Sequence, residues 1–279
     1  MSIRVNSPNQ STLSSLRNSQ KNQEKLQKTL EKLSSGHRIN RAADDAAGLA
    51  ISEQLGQALK GLEQGMENVY DGLSLTQVAD GALNQSSDNL LRMRELAMTA
   101  ANGTLNEGQR DAVQAEFDSL KSEITRISES TEFNGNQLLD GTAGDMDIAM
   151  GTESGGSPDT LTLDLSANMD ATSLGLDASS VSGSDGSAAL AAMDDIDSAM
   201  AMISSKRSEF GSFSNRLMSA QQSLAISAEN TYAAQSRIQD ADFAVESANL
   251  VRQQILGQSS NAVQIQSRGL ASTALNLLK

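Results

Sequence analysis

The sequence predicts an all-α fold, an elongated antiparallel helical bundle or coiled coil with a small β-hairpin region in the middle of the chain. Apolar residues recur at three- and four-residue steps through both ends of the 279-residue chain, as they do in amphipathic helices. Aromatic residues make up only 3% of the chain, so Leu, Ile, Val, Met and Ala must fill the core. The middle is acidic and rich in Gly and Ser, which favours turns and short strands over helix.

The first helix is predicted over residues 11–34 and has a weak apolar face. Five leucines lie near that face: Leu13, Leu16, Leu26, Leu30 and Leu33. The pattern stops at Ser34, Ser35 and Gly36, a typical break. Helix nucleation is costly and most stability must come from burial, so this helix is expected to need packing partners.

A much longer helix is predicted over residues 44–101. Asp44 and Asp45 suit the positive end of its dipole, and Asn102-Gly103 marks its end. A seven-residue repeat runs through Leu55, Leu62, Val69, Thr76, Leu83, Leu90 and Ala97, which is coiled-coil spacing. Leu62, Val69 and Leu83 are expected to pack within their own subunit.

The remaining elements return along the same axis. Thr104 and Glu107 predict a capping box that opens a helix over 104–130. Residues 134–188 form an insert in which Leu161, Leu163 and Leu165 alternate as in a half-buried strand. Helices are predicted again over 190–236 and from 241 to the end, so the two termini are expected to lie together.

Composition excludes several classes of function. The net charge is −14, and no Lys or Arg occurs between Ile127 and Ser205, which argues against nucleic acid as a partner. The chain has no Cys and a single His, His37, and we predict no catalytic residues, no metal site and no cofactor. No apolar run is long enough for a membrane span, and none resembles a secretory signal peptide. These facts fit a cytoplasmic protein or one exported without a cleavable signal.

Two minor motifs favour ordinary surface roles. Asp145 and Asp147 faintly resemble a calcium loop, but their spacing does not match the twelve-residue EF-hand, and a solvated outer face is the better interpretation. His37 lies in the break after the first helix with Arg38 and Arg41 nearby. An exposed loop imidazole is favoured there over a proton switch.

Several blocks make the chain resemble the bacterial flagellins. The run from Leu33 to Ile51, LSSGHRINRAADDAAGLAI, is similar to the N-terminal signature of that family. Further blocks agree in the expected order: 71–75 with 81–83, 92–97, 131–135, 215–217, 237–244 and 254–256. The extreme N-terminus, with Pro8, departs from the family pattern. The middle is short, about fifty residues over 141–190, so the resemblance is to a minimal flagellin.

The resemblance implies a structural subunit that polymerises with copies of itself into the flagellar filament for swimming motility. It implies a terminal coiled-coil domain, 1–42 plus 241–279, in the inner layer of the filament. A core helical domain over 43–240 would carry the solvent-facing insert. It also implies type III export without a cleavable signal, an extracellular filament, and an export chaperone, the filament cap and hook-associated proteins as partners.

Two groups of residues are candidate sites. We expect the terminal stripes to be ordered chiefly by neighbouring subunits and to fold as they assemble; these residues are Leu26, Leu30, Leu33, Leu270 and Leu277. Arg92, Leu96 and Glu116 match the residues with which flagellins contact the vertebrate Toll-like receptor for this protein. Filament packing is the alternative role of these three residues.

Three other classes of protein are alternatives to a filament subunit. A hook-filament junction protein would share the terminal helices. A secreted coiled-coil adhesin would bind a host surface without polymerising. The third alternative, a hydrolytic enzyme, is disfavoured because the chain lacks the usual catalytic groups. It has no Cys, one His, no H-E-x-x-H motif and no evident Ser/His/Asp set.

Overall fold

A computed structural model of the chain describes residues 10–152, 158–183 and 186–277. Within these ranges the chain forms five α-helices and two antiparallel β-hairpins, which confirms the predicted fold class. In chain order the elements are α1 Gln10–Ser35, α2 Ala46–Ala100, α3 Glu107–Ser130, β1 Glu132–Phe133, β2 Asn136–Gln137, β3 Gly144–Thr152, β4 Pro158–Leu165, α4 Ser187–Gln239 and α5 Phe243–Leu277.

Contacts divide the chain into two compact units. The terminal unit comprises Met1–Leu59 and Asn230–Lys279, and the core unit comprises Lys60–Glu229. The predicted domain boundaries at residues 42 and 241 concern the assembled filament and stay a prediction.

Helix starts follow local hydrogen bonding. Asp45 caps α2, because its Oδ1 accepts a hydrogen bond from the Gly48 amide at 2.9 Å. The predicted capping box at Thr104 and Glu107 is wrong. The side chain of Asn106 instead accepts from the amide of Gln109, and the side chain of Gln109 accepts from the amide of Asn106. The same reciprocal chemistry operates two residues later, since an Asn serves as N-cap as well as a Thr does.

The core unit has a continuous apolar core. Its α2 side is the heptad stripe: Val69, Leu83, Leu90 and Ala97 are buried as predicted, whereas Leu62 is half-buried. Phe117 and Ile124 of α3 and Ile196, Phe210 and Leu217 of α4 complete the helical part.

The insert contributes one face to this core, as the alternation predicted for a half-buried strand requires, while Thr160 and Thr162 on the other face of β4 are exposed. That the insert faces solvent in the filament stays a prediction. Leu161, Leu163 and Leu165 point inward along β4, with Ile148 of β3 beside them. Leu174, Leu176 and Val181, from the stretch after the hairpin, are also buried. The insert supplies an apolar side because the helices of this unit leave an apolar face that must be covered.

Two buried cations hold the insert through backbone carbonyls. Arg110, 3% exposed, donates to the carbonyl oxygens of Ala100, Asn102 and Gly183. Lys206, also buried, donates to the Asp164 carbonyl at 2.8 Å and to Glu209 Oε2 at 3.0 Å. Hydrogen bonds from Ser166, followed by the charge of Lys206, hold the pKa of the Asp164 carboxyl below its ordinary value.

The hairpin β3–β4 lies directly on α2 at two glycines. A Cβ at Gly65 would overlap the carbonyl of Met150, and one at Gly72 would overlap Ile148 Cδ1. Asn68, between them on the helix, donates its Nδ2 to the Ala149 carbonyl at 2.7 Å. The absence of side chains at Gly65 and Gly72 therefore fixes how closely the strand approaches the helix.

This contact predicts opposite effects for two Gly-to-Ala changes on one helix. Gly65→Ala forces the Met150 backbone away and should lower the free energy of unfolding by about 2 kcal/mol or more. Gly81→Ala, where a Cβ would meet nothing within 4 Å, should raise it by roughly 0.5–1 kcal/mol through helix propensity. Urea denaturation followed by circular dichroism measures both. A Gly65→Ala protein as stable as the parent would contradict the seating of the hairpin.

Candidate self-assembly surface and the Arg92 cluster

The terminal unit pairs α1 with α5 in antiparallel fashion. Asn22 Nδ2 donates to the Gln253 carbonyl at 2.8 Å, and Lys32 Nζ lies 3.7 Å from Glu246 Oε1, so the contacts run up one helix and down the other. The prediction that both chain ends lie together holds for the described parts of these helices.

A polar clip joins the chain breaks that precede α2 and α5. Gly36 ends α1 with φ +73° and accepts from the Ala241 amide at 2.9 Å. The Arg38 amide donates to the Gln239 carbonyl, and the Arg38 Nη2 donates to the Ile238 carbonyl. His37 Nδ1 lies 3.3 Å from Asp240 Oδ1, with the imidazole half-exposed. The break signalled by Ser34, Ser35 and Gly36 is thus an interaction point that sequence patterns alone did not reveal.

The terminal unit has almost no core of its own. Among its described apolar side chains only Ile39 is buried. Several large apolar side chains on α1 and α5 are at least 40% exposed: Leu13, Leu16, Leu30, Val251, Ile255, Leu256, Val263 and Ile265. This many exposed large apolar side chains on two paired helices make these helices a candidate interaction surface.

The predicted assembly residues take different positions on these helices. Leu30 is 49% exposed, whereas Leu26 and Leu33 are half-buried. Leu270 and Leu277 lie outside the residues whose side chains the structure describes. The sequence analysis did not include Val263 and Ile265 among the candidate residues. Both are among the most exposed apolar side chains of α5.

The Arg92 cluster lies on the core unit where α2 faces α3. Arg92 Nη2 and Nε contact Glu116 Oε1 at 2.7 and 3.0 Å, and its Nη1 contacts Glu95 Oε2 at 3.0 Å. The hydrogen bond to Glu116, followed by that to Glu95, raises the pKa of the Arg92 guanidinium. All three side chains are about half-exposed, so the ion pairs orient the guanidinium and contribute little to stability.

Leu96 differs from its two predicted companions. It is 6% exposed and belongs to the core cluster, so the structure brings Arg92 and Glu116 together at the surface and places Leu96 beneath them.

The described residues contain no group of three His, Cys, Asp or Glu side chains placed to hold a metal ion. In the same part of the chain, no helix is long and apolar enough to cross a membrane.

Family comparisons match both ends of the chain. Residues 6–144 match the bacterial flagellin N-terminal helical region, and residues 193–278 match the C-terminal helical region. Flagellin of Halalkalibacterium halodurans is 41% identical, with 91% of this chain and 92% of the relative aligned. The chain belongs to the bacterial flagellin family.

Two further relatives are similar in sequence to this flagellin over nearly its whole length. Flagellin of Bacillus subtilis is 36% identical across 99% of this chain and all of the relative. The flagellar filament 33 kDa core protein of Treponema phagedenis is 36% identical, covering 91% and 92% of the two chains. This flagellin is therefore a structural subunit that associates with itself into the flagellar filament, an extracellular structure that serves motility.

Solved structures agree in fold. The crystal structure of Bacillus cereus flagellin superposes with a TM-score of 0.50 at 36% identity, covering 57% of this flagellin and 88% of that chain. A putative flagellar hook-associated protein from Vibrio parahaemolyticus gives a TM-score of 0.60 over 71% of this chain and all of its own. Its 16% identity shows a shared fold alone. The filament subunit is thus favoured over the junction protein and the adhesin by sequence relatedness.

The burial of Leu96 predicts a stability effect that its exposed neighbour lacks. Leu96→Ala leaves a cavity beneath the Arg92 cluster and should lower the free energy of unfolding by about 2–4 kcal/mol. Leu91→Ala, on the same helix but 46% exposed, should change it by no more than about 0.5 kcal/mol. Thermal and urea unfolding of the purified monomers test the pair. Equal effects would contradict the burial of Leu96.

Proposed function

We propose that α1 and α5 are the principal surfaces through which copies of this flagellin pack, and that these helices become fully ordered as the filament grows. The observation that carries the proposal is the near absence of a core in the terminal unit, where Ile39 alone is buried among the described apolar side chains. Helices with so little burial gain most of their stability from whatever covers them. Neighbouring copies are the available cover in a homopolymer.

The contacts between copies are expected to be heterologous. A helical filament requires that one patch meet a different patch on the next copy without closing into a ring. The exposed faces of α1 and α5 are such a pair, since they differ in sequence and in the spacing of their apolar side chains. Leu26, Leu30 and Leu33 would contribute from α1, and Leu270 and Leu277 from α5.

Further partners follow from family membership and are part of the proposal. We propose export through the type III pathway, with an export chaperone that covers the terminal helices before assembly. The filament cap and hook-associated proteins would meet the same helices at the growing end and at the base. The chain would be secreted and would have no catalytic role, since the arrangement of its side chains serves packing.

Serine substitutions on α5 test the assembly surface. Val251→Ser combined with Ile255→Ser removes apolar area that the monomer already exposes, so monomer stability should stay unchanged while the critical concentration for polymerisation rises at least about tenfold. Gln254→Ser, at an exposed polar position between them, should polymerise like the parent.

Seeded polymerisation followed by sedimentation and electron microscopy gives the critical concentrations. Circular dichroism of the parent should also show more helix in polymer than in monomer. Normal filaments from the double variant would argue against the α5 surface, and equal helicity of monomer and polymer would argue against ordering on assembly.

We also propose that the Arg92 cluster of the free monomer is recognised by the vertebrate Toll-like receptor for flagellin. The half-exposed guanidinium is oriented by Glu116 and Glu95, and an oriented Arg is a common anchor of protein interfaces. Leu96 would act from beneath, by supporting the helix surface rather than by direct contact.

Receptor signalling by monomer tests this surface. Arg92→Ala should reduce potency about tenfold or more, with the unfolding midpoint unchanged. Arg126→Ala, which removes an Arg from another exposed ion pair, is the matched control and should signal normally. Leu96→Ala is unsuitable for this test, because loss of the buried leucine lowers the stability of the monomer as well. Leu91→Ala, at an exposed position of the same helix, is measured in its place. Full signalling by Arg92→Ala would exclude the cluster as an anchor.

A further inference from the structure

A polar groove runs between α1 and α5 within the terminal unit. Its volume is about 770 Å³, and it is lined mainly by Ser, Asn and Gln side chains from both helices, with Leu256 and Val263 at one side. Three cations, Lys21, Lys25 and Arg252, also line it, and no Asp or Glu does. The groove is therefore a concentrated positive site in a protein whose net charge is −14.

The three cations have no ion-pair partner within the described residues. Farther along α1 the situation differs, because Lys28 lies 3.6 Å from Asp44 and Lys32 lies 3.7 Å from Glu246. The cations near the polar clip are therefore paired with carboxylates, whereas those that line the groove are not paired within the described residues. Adjacent like charges repel, so the groove gains electrostatically from an anionic occupant.

A buried polar atom beside these cations also lacks a partner. Gln253 Oε1 is buried and accepts no hydrogen bond within the described part of the molecule. The backbone carbonyl of the same residue is occupied by Asn22. Buried polar atoms are normally satisfied, so the unpaired amide oxygen indicates that a polar group belongs in the groove.

The distribution of charge between the units identifies the occupant. Residues 1–59 and 230–279 carry 12 Lys and Arg against 8 Asp and Glu, whereas residues 60–229 carry 9 against 27. The side-chain charges are therefore +4 and −18, which sum to the −14 of the chain. Every copy thus carries a basic groove together with a large excess of carboxylates that another copy can use.

We propose that the groove lined by Lys21, Lys25 and Arg252 is a docking surface for carboxylates of a second copy of this chain. The inference rests on the proposed assembly through α1 and α5, and it adds a charge-based contact to the apolar one. Carboxylates from the neighbour neutralise the three cations. Such a contact orients copies relative to each other, since apolar burial alone specifies register weakly.

Removal of the three charges tests the proposal in the full-length protein. Lys21→Gln, Lys25→Gln and Arg252→Gln together should raise the critical concentration about tenfold at about 50 mM NaCl. The matched control is Lys60→Gln with Arg126→Gln and Arg216→Gln, which removes the same total charge outside the groove and outside α1 and α5 and should polymerise within about twofold of the parent. Salt of about 500 mM should bring the parent close to the groove variant, because it screens the contact.

Zero-length cross-linking identifies the partner independently of any variant. A carbodiimide joins a lysine amine to a touching carboxylate as an amide, with its own hydration to a urea taking up the oxygen atom. In filaments assembled from equal amounts of ¹⁴N- and ¹⁵N-labelled flagellin, mass spectrometry should find mixed-isotope links from Lys21 or Lys25 to Asp or Glu. The monomer should lack them.

The outcomes separate the two proposals. Equal critical concentrations and equal salt dependence for the groove variant and its control overturn the groove contact, as does the absence of mixed-isotope links from Lys21 and Lys25 in parent filaments. The proposed assembly surface would survive either result. It fails if the α5 serine variant polymerises normally, whatever the groove variant does.

Discussion

The core unit of this flagellin buries most of its large apolar side chains, whereas the terminal unit buries almost none of those that are described. The rest of the structure depends on this difference. The core unit closes its heptad stripe with α3, α4 and an inward-facing hairpin, so Leu83, Leu90 and Phe117 are fully buried. The terminal unit has two helices and a short part of two others to cover a comparable apolar periodicity. Two paired helices cannot enclose both of their apolar faces, and the remainder stays exposed until another molecule covers it.

Polar interactions compensate where apolar burial is scarce. In the terminal unit, backbone hydrogen bonds at Gly36 and Arg38 and the pairing of Lys32 with Glu246 align the outgoing and returning chains. These contacts are partly exposed and individually weak, so they determine register more than stability. In the core unit the buried Arg110 and Lys206 donate to the carbonyl oxygens of Gly183 and Asp164 and thereby attach the insert to the helices.

A subunit of this construction separates folding from assembly. The core unit can remain a stable building block while the terminal unit responds to its surroundings, because regions with few buried apolar contacts open at low free-energy cost. The side-chain charges also differ in sign between the units, +4 for the terminal unit and −18 for the core unit. The proposed assembly surfaces therefore contribute little to the stability of the monomer.

The sequence by itself determined the fold class, the order of the helices and the family. Sustained heptad spacing from Leu55 to Ala97 and the break at Gly36 leave few alternatives, since both are local properties of the chain. The sequence placed the N-cap of α3 at Thr104, two residues before the observed Asn106, because both residues have side chains suited to an N-cap. Alternation of Leu161, Leu163 and Leu165 also predicted that one face of the insert is buried. Tertiary structure alone decided that Leu96 is buried and that the hairpin lies on α2 at Gly65 and Gly72. Those outcomes depend on which elements meet in space, and residues far apart in the chain do not signal their contacts through periodicity.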